Sequence, residues 1–316
     1  MIPRTFHFVF GLRAKPEPLH LVHYLCLESC RQVNAPCEIY LHCHHQPYGP
    51  YWDMIGDTVT IVPAEPDPFI ASYTYKQRVL NRYRYAHHAD VIRLDALIEH
   101  GGIYADIDTI FVNPFPDALL RYPCVLGQED DVMCHRTGQM QPSLCNAVIM
   151  AERKSPFVVA WRQRMYAAFD GSWSNHSGFL AHELSLQLPN DIHVEPQRTF
   201  YKHGFRPAGV QMLLEGLDTD FDGVISMHLW SHLWWNKRRR DFSRVHAGLI
   251  TEDYVRNVDT TYTVSARRFL PPADRPRTSM KEAETRVPGS SGTATVMLWA
   301  RTAQSWLRTY AAKSSR

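Results

Sequence analysis

The sequence predicts an α/β fold, organised as a single domain with a mainly parallel central sheet and a C-terminal tail. Short apolar segments typical of strands alternate with stretches of helical periodicity, and this alternation favours parallel strands joined by helices. The predicted strands are Phe6–Phe10, Cys37–His42, Thr58–Val62, Ile103–Asp108, Cys124–Gly127, Ala147–Met150, Ile192–Glu195 and Val224–Met227. The predicted helices are His20–Arg31, Lys76–His87, Asp90–His100 and Phe157–Phe169. The last of these has a clear start signal, because Ser155 is followed by Pro156 at the first helical position.

The most informative unit is a helix, a glycine stop and a strand between residues 90 and 108. The helix has one apolar stripe at positions i, i+3 and i+4: Leu94, Leu97 and Ile98. Gly101 and Gly102 follow, where the chain needs residues that tolerate positive φ. The chain can therefore turn sharply from the helix into the next strand.

Two carboxylates end this strand on one side. Period-two alternation places Asp106 and Asp108 on the same face, where one cation could bridge them. Carboxylate oxygens suit hard ions such as Mg²⁺ or Mn²⁺. Asp-x-Asp also occurs at 218/220 and 220/222, but only the first copy follows a helix and a Gly-Gly stop. Asp90 and Arg93 share another face of the helix, either as site residues or as an intrahelical salt bridge.

Composition indicates a globular protein with reduced thiols. In 316 residues, 45% hydrophobic and 12% aromatic side chains are enough for a packed core. No apolar run reaches about 18 residues, and Met1 leads almost directly into the first strand, so we expect neither a transmembrane helix nor a signal peptide. Seven cysteines form no compact framework, which favours a cytoplasmic location.

The charge of the chain is uneven. The formal net charge is +2, but residues 263–316 contain ten Lys/Arg and three Asp/Glu, which leaves residues 1–262 slightly acidic. An acidic body argues against nucleic acid as a partner, because phosphate contacts need clustered cations. We expect a folded domain over 1–262, a disordered Pro/Ser/Gly-rich basic linker over 263–293, and a short amphipathic basic helix over 294–316. That helix either lies on a membrane surface or docks on the domain.

Two motifs resemble the DXD-motif glycosyltransferases, a family that includes capsular-polysaccharide transferases, initiating α-mannosyltransferases and glucosylating clostridial toxins. The motif Ser-Asp-x-x-Arg-x-x-x-Leu-x-x-x-Gly-Gly-x-Tyr-x-Asp-x-Asp fits Ala89 to Asp108 with every spacing kept, and alanine replaces the serine. The family's opening strand, Ile-Pro-Lys-x-x-His-x-x-Trp, is similar to Ile2 through Phe10, where Phe10 replaces the tryptophan. The resemblance covers roughly residues 1–235 and implies a Rossmann-like GT-A fold that binds a nucleotide-diphosphate sugar beyond the ends of its strands.

The resemblance also implies roles for individual residues. Asp106 and Asp108 would hold Mn²⁺ or Mg²⁺ on the diphosphate, and Asp90 and Arg93 would contact the donor sugar. The other donor-binding residues implied are His7, Phe10, Tyr104 and Asn146. His228 would complete the metal site, although a structural histidine is an equally good reading.

The resulting hypothesis is a hexosyltransferase that moves a sugar from a UDP- or GDP-sugar to a hydroxyl of a glycan or lipid-linked acceptor, with retention at the anomeric carbon. One alternative is a metal-dependent hydrolase of nucleotide sugars or glycans. Another is a calcium-binding module through Asp218–Asp222, although Leu229 stands where the twelfth-position carboxylate of such a loop is needed. Residues 230–240 combine tryptophans with cations, so peripheral contact with the inner face of a membrane is a further hypothesis, beside a solvated surface edge.

Overall fold

The structure is a computed structural model that describes residues 1–76, 78–134 and 137–272 of the chain. Its strands, in chain order, are β1 (Thr5–Phe10), β2 (Glu38–Cys43), β3 (Thr60–Pro63), β4 (Gly102–Ala105), β5 (Thr109–Phe111), β6 (Cys124–Gln128), β7 (Val132–Cys134), β8 (Gln139–Gln141), β9 (Leu144–Ala151), β10 (His193–Glu195) and β11 (Ser226–His228). Its α-helices are α1 (Leu21–Val33), α2 (Pro50–Ile55), α3 (Pro68–Ser72), α4 (Arg84–His100), α5 (Pro156–Ala168), α6 (Leu180–Gln187), α7 (Gln197–Phe200), α8 (Pro207–Leu214), α9 (Glu252–Asn257) and α10 (Thr261–Ala266).

Seven strands form the central sheet in the order β10-β6-β9-β4-β1-β2-β3. Strand β9 runs antiparallel to its neighbours β4 and β6, and every other pairing in this sheet is parallel. The predicted α/β class and the mainly parallel sheet are therefore confirmed. The parallel strands end at one edge of the sheet, which we call the carboxyl edge.

Apolar layers cover both faces of the sheet. Along β1, Phe6 and Phe8 enter one hydrophobic cluster, which also contains buried residues of α1, while Val9 enters a second cluster with residues of α4, α5 and α6. Side chains alternate between the faces of a strand, so this split shows that β1 is buried on both sides. Parallel strands buried in this way read as nearly continuous apolar runs in the sequence.

Between residues 76 and 108 the structure differs from the predicted elements in two ways. The helices predicted over 76–87 and 90–100 form one 3₁₀ segment at Arg78–Tyr83 followed by the single helix α4. The strand predicted over 103–108 ends at Ala105, and the chain turns before β5 begins at Thr109. Period-two alternation is therefore the wrong reason for the proximity of Asp106 and Asp108, since both lie in the turn between two strands.

A second, two-stranded sheet follows this turn. Strand β5 pairs antiparallel with β11, and Thr109 is opposite His228 in the register. The end of β11 is thereby brought beside the turn that carries the two aspartates. A separate hairpin, β7–β8, lies between β6 and β9 in the chain.

The folded core extends beyond the predicted boundary at residue 262. Helix α10 crosses that boundary, and Phe269 is 2% exposed within the first hydrophobic cluster. The linker predicted to begin at 263 is therefore corrected, because residues up to about Leu270 pack against the core. The remainder of the 263–293 linker and the helix predicted over 294–316 lie outside the described residues. Among the described helices, none is both long enough and apolar enough to cross a bilayer.

Candidate active site

The candidate site lies at the carboxyl edge of the central sheet. Asp106 follows the end of β4, and Glu129 follows the end of β6. Because β9 runs in the opposite direction, its beginning, with Asn146, lies at the same edge. The backbone N–H of Asp106 donates a hydrogen bond to the Ala147 carbonyl oxygen at 2.8 Å, which joins the two strands there. Ligands of open α/β sheets bind at this edge.

Asp106, Asp108 and His228 form a compact group, which we call the carboxylate–histidine cluster. Each residue offers one ligand atom, and these atoms all lie within 4.8 Å of one another. The His228 Nε2 atom lies 3.0 Å from Asp108 Oδ1 and 3.6 Å from Asp106 Oδ2. Two carboxylate oxygens and an imidazole nitrogen are a donor set that suits a divalent cation such as Mn²⁺.

Asp108 is held in place by the loop that follows β11. The Ser231 backbone N–H donates to Asp108 Oδ2 at 2.7 Å, and the Leu229 N–H donates to the Asp108 carbonyl oxygen at 2.9 Å. Trp230, between them, has a φ of 54°, a left-handed conformation that is uncommon for a large residue. The loop thus adopts a strained turn around Asp108, as is frequent at functional sites.

The charges of the cluster are unequal. Burial tends to raise the pKa of Asp108, but His228 and the Ser231 N–H outweigh it and hold that pKa well below its ordinary value. Burial tends to lower the pKa of His228, but the two aspartates raise it above the usual value. For Asp106, burial outweighs Arg93 and His228 and raises the pKa. The two aspartates thus favour the charged form of His228, and the same carboxylates would favour a bound cation.

A second group surrounds Asp90 on α4, and we call it the sugar-side cluster after the role that the resemblance implies for Asp90 and Arg93. The Asp90 Oδ1 atom accepts from Asn146 Nδ2 at 2.8 Å and lies 3.1 Å from Arg93, while Oδ2 lies 2.8 Å from His176 Nε2. The guanidinium of Arg93 also donates to the Asn146 carbonyl oxygen at 2.5 Å. Buried charges are stable when they are paired and hydrogen-bonded in this way.

Arg93 joins the two clusters. Its Nη2 atom lies 3.3 Å from Asp106 Oδ1, and its guanidinium lies 4.5 Å from the centroid of the Tyr104 ring. The Tyr104 hydroxyl donates to Asp106 Oδ1 at 2.6 Å. Tyr104 is 1% exposed, so it orients Asp106 from beneath, whereas the resemblance implies a contact with the donor itself.

The structure does not bring His7 to the site. Its ring is fully buried in β1, where Nε2 lies 2.9 Å from the Gly101 carbonyl oxygen and Nδ1 lies 3.0 Å from His42 Nε2. We therefore correct its expected role from donor binding to support of the Gly101 turn. Phe10, at the carboxyl edge of β1, packs against His23 with 5.1 Å between the ring centroids. His23 in turn stacks on Trp235 at 5.1 Å, with an interplanar angle of 8°.

Two residues at the site, His176 and Glu129, carry no signal in the sequence. His176 lies in the π-helical turn Asn175–Phe179, far along the chain from the Asp90 that it contacts. Glu129 accepts a hydrogen bond from Ser143 at 2.5 Å, and burial raises its pKa to about 7. Both contacts join distant parts of the chain, so neither periodicity nor local spacing could predict them.

The structure argues against two of the hypotheses. Trp230 and Trp234 are buried, with the Trp234 Nε1–H bonded to the Leu229 carbonyl oxygen, so these rings are unavailable to a lipid surface. The membrane contact expected of residues 230–240 therefore has no structural support from them. In the proposed calcium loop, the Asp218 carboxylate lies 3.0 Å from the Lys202 ammonium and Asp220 pairs with Arg198. The carboxylates of the proposed calcium loop are therefore already paired with Lys202 and Arg198.

Comparison with known proteins agrees with the position of the DXD motif. Residues 57–126 match the family described as the glycosyltransferase sugar-binding region containing DXD motif. Over 282 residues, the chain is 29% identical to Glucan organizing enzyme 1 of Cryptococcus neoformans var. grubii, covering 87% of this chain and 72% of that protein. It is 24% identical over 165 residues to an uncharacterised protein of Arabidopsis thaliana, covering 47% of this chain and 24% of that protein.

Similar solved structures are also glycosyltransferases. GlyE of Streptococcus pneumoniae has a TM-score of 0.42 at 10% identity, covering 85% of this chain and 60% of that chain. An active-site mutant of LgtC has a TM-score of 0.41 at 14% identity, covering 71% and 86%. PaToxG glycosyltransferase has a TM-score of 0.40 at 16% identity, covering 59% and 69%. The region matched by the family model contains the motif at residues 89–108, so this chain is similar to the DXD-motif glycosyltransferases in the segment that carries Asp106 and Asp108.

Proposed function

We propose that this glycosyltransferase moves a hexose from a UDP- or GDP-sugar to a hydroxyl of a glycan or lipid-linked acceptor, with a divalent cation and with retention at the anomeric carbon. The observation that carries the proposal is the adjacency of the carboxylate–histidine cluster and the sugar-side cluster, joined by Arg93 at the carboxyl edge. A nucleotide sugar has the same two parts, a diphosphate beside a sugar ring.

The carboxylate–histidine cluster is the proposed site of Mn²⁺ or Mg²⁺. A cation there would stabilise the negative charge that forms on the leaving diphosphate. Asp108 has the lowered pKa that a ligand needs, and Tyr104 and Arg93 fix Asp106 in orientation. His228 must be neutral to bind a metal, so the cation would take the place of its proton.

The sugar-side cluster is the proposed site of the donor hexose. Asp90 and Asn146 offer hydrogen-bonding atoms to sugar hydroxyls, and His176 keeps the Asp90 carboxylate in a fixed orientation. Arg93 carries a positive charge between the sugar and the diphosphate. Phe10, with His23 and Trp235 behind it, lies at the end of β1, where the nucleoside is expected. A cytoplasmic location belongs to the same proposal, since cytosolic nucleotide sugars would then be available.

The test combines binding and turnover. Thermal melting is measured with UDP, GDP and their sugars, with and without Mn²⁺, because a ligand that binds the folded state raises the melting temperature. We expect a larger rise with Mn²⁺ and one of the two nucleotides. We also expect Asp108→Asn to abolish that increment and to lower kcat/KM about 10²-fold or more. Glucose oligosaccharides are included as acceptors because the Cryptococcus relative is named a glucan organizing enzyme.

The matched control is Asp220→Asn, which alters another Asp-x-Asp copy whose carboxylate pairs with Arg198. It should leave both the melting shift and turnover unchanged. Equal activity of the wild type in EDTA and in Mn²⁺ would contradict the metal role. A donor-hydrolysis rate that no acceptor alters would favour the hydrolase. The anomeric configuration of the product, read by NMR, tests retention.

A further inference from the structure

Trp173 is a large aromatic residue with 41% of its surface exposed. Its ring stacks on the His232 ring, with 4.8 Å between the centroids and an interplanar angle of 25°. Tyr83 contacts the same indole edge-on at 5.2 Å. The tryptophan is therefore held in one orientation by two rings while much of it faces solvent. A fixed, exposed aromatic ring is a feature of binding surfaces.

The stacked pair bridges the loops that hold the two clusters. Trp173 lies three residues before His176, which contacts Asp90 in the sugar-side cluster. His232 directly follows Ser231, whose N–H holds Asp108 in the carboxylate–histidine cluster. The Trp173–His232 pair thus connects the two loops that hold Asp90 and Asp108.

The nucleoside has a different aromatic surface available. The aromatic group of Phe10, His23 and Trp235 lies at the end of β1, whereas Trp173 precedes the turn that carries His176. Burial and the nearby His228 lower the pKa of His232 to about 3, so the ring behind Trp173 is neutral. The platform is thus uncharged and suits a ligand with an apolar face rather than an anionic one.

A pyranose ring has such a face. Its axial C–H groups pack against an indole, while its hydroxyls stay on the rim and keep their hydrogen bonds to water or to polar side chains. We propose that Trp173, backed by His232, is the platform on which the acceptor pyranose lies while one of its hydroxyls faces the sugar-side cluster. This inference rests on the proposed function, because it assigns the second substrate of the same reaction.

The test is steady-state kinetics of Trp173→Ala and Trp173→Phe with acceptor and donor varied separately. For Trp173→Ala we expect the acceptor KM to rise about tenfold or more, with the donor KM and the Mn²⁺ dependence unchanged. Donor hydrolysis in the absence of acceptor should persist, so the ratio of transfer to hydrolysis falls. Trp173→Phe keeps an aromatic face and should recover most of the acceptor affinity.

The matched control is Tyr122→Ala. Tyr122 is also exposed and stacks on a histidine, His193, at 4.1 Å and 6°, but it precedes β6 at the opposite edge of the sheet. Its removal should leave the acceptor KM unchanged. The same acceptor KM in the Trp173 and Tyr122 alanine variants would overturn the platform, and so would a rise in donor KM alone, which would assign the ring to the nucleobase.

Saturation-transfer NMR with glucose and mannose oligosaccharides separates this inference from the proposed function. If the wild type turns over no donor, the proposed function fails, yet a saturation signal that Trp173→Ala abolishes and Tyr122→Ala preserves would still support a sugar platform. Absence of any oligosaccharide signal in the wild type would overturn it.

Discussion

Asp106 and Asp108 are two residues apart, but their surroundings prepare them for different roles. Asp108 accepts hydrogen bonds on both oxygens, from His228 and from the Ser231 N–H, and is nearly buried. The Asp106 side chain keeps about a quarter of its surface exposed, at 27%, and contacts Tyr104 and Arg93. Asp108 is therefore the fixed member of the pair, and Asp106 is the member with more access to a ligand.

Glu129 is a partly buried carboxyl group near both clusters. Its hydrogen bond comes from Ser143, and burial raises its pKa from the ordinary 4.5 to about 7. At a pH between these two pKa values, Glu129 is therefore protonated in the folded state and deprotonated in the unfolded chain. Stability must then fall as the pH rises through this window, because deprotonation leaves a poorly solvated charge.

We expect Glu129→Gln to remove this loss of stability. The difference in the free energy of unfolding between variant and wild type should be about 1 to 3 kcal/mol more favourable to the variant at about pH 8 than at about pH 5. Urea denaturation at both pH values measures the difference. Glu183→Gln, on the exposed surface of α6, is the control and should show no such gain. The prediction would be wrong if the free energy of unfolding changed with pH by the same amount in the wild type and in Glu129→Gln.

Residue types and spacing predicted part of the site. The long motif carried Asp90, Arg93, Asp106 and Asp108, and the structure places them together with Asn146 and His228. The same motif-based reasoning misplaced His7. A strand side chain that is buried against α4 cannot be told apart, in sequence, from one that faces the site. Only the tertiary contact between His7 and the Gly101 carbonyl oxygen shows that this side chain is buried.

At the scale of elements, the site depends on a break between two strands. Because β4 ends at Ala105 and β5 pairs with β11, the turn between them is fixed at both ends. The sequence showed apolar alternation through this turn and so predicted an uninterrupted strand. The pairing with β11, about 120 residues later in the chain, is a long-range contact that local strand propensity cannot predict.

The π-helical turn Asn175–Phe179 is another element on which the site depends. A Cβ atom at Gly178 would lie 2.1 Å from Ser143 Oγ and 3.0 Å from the Leu144 carbonyl oxygen. The turn therefore approaches β9 closely, and this approach holds His176 beside Asp90 and Ser143 beside Glu129.

We expect Gly178→Ala to destabilise the protein by about 1 to 3 kcal/mol, because the new methyl group displaces Ser143. Adding Ser143→Ala removes the Oγ atom that clashes and should restore part of the lost stability. Urea denaturation of the two single variants and the double variant forms a double-mutant cycle. Strictly additive free energies would show that the close approach to Ser143 is not the cause.

At the scale of the whole molecule, the central sheet could be predicted from the sequence, but the C-terminal limit of the folded domain could not. Strand and helix alternation is a property of local sequence, and it gave the α/β class together with most strand positions to within a few residues. The end of the domain depends instead on packing. Composition turns polar after about residue 266, yet Phe269 packs into the first cluster.

Truncation tests this corrected boundary. A chain of residues 1–272 should unfold cooperatively and keep its Mn²⁺-dependent nucleotide binding, because it retains Phe269 and α10. A chain of residues 1–262 loses Phe269 and most of α10 and should be destabilised by more than about 3 kcal/mol. Thermal melting of the two truncated chains beside the full chain measures this. Loss of folding in the 1–272 chain would mean that later residues belong to the domain.

The reversed direction of β9 has a consequence for how new specificities could arise on this scaffold. Since β6 ends and β9 begins at one rim, the segment that carries the β7–β8 hairpin leaves the sheet and returns to it at the carboxyl edge. That excursion displays Met133 and Met140, both exposed and paired across the hairpin. Under the proposed function, changes at Met133 and Met140 would alter the surface at the substrate edge while the pairing of the central strands stays the same.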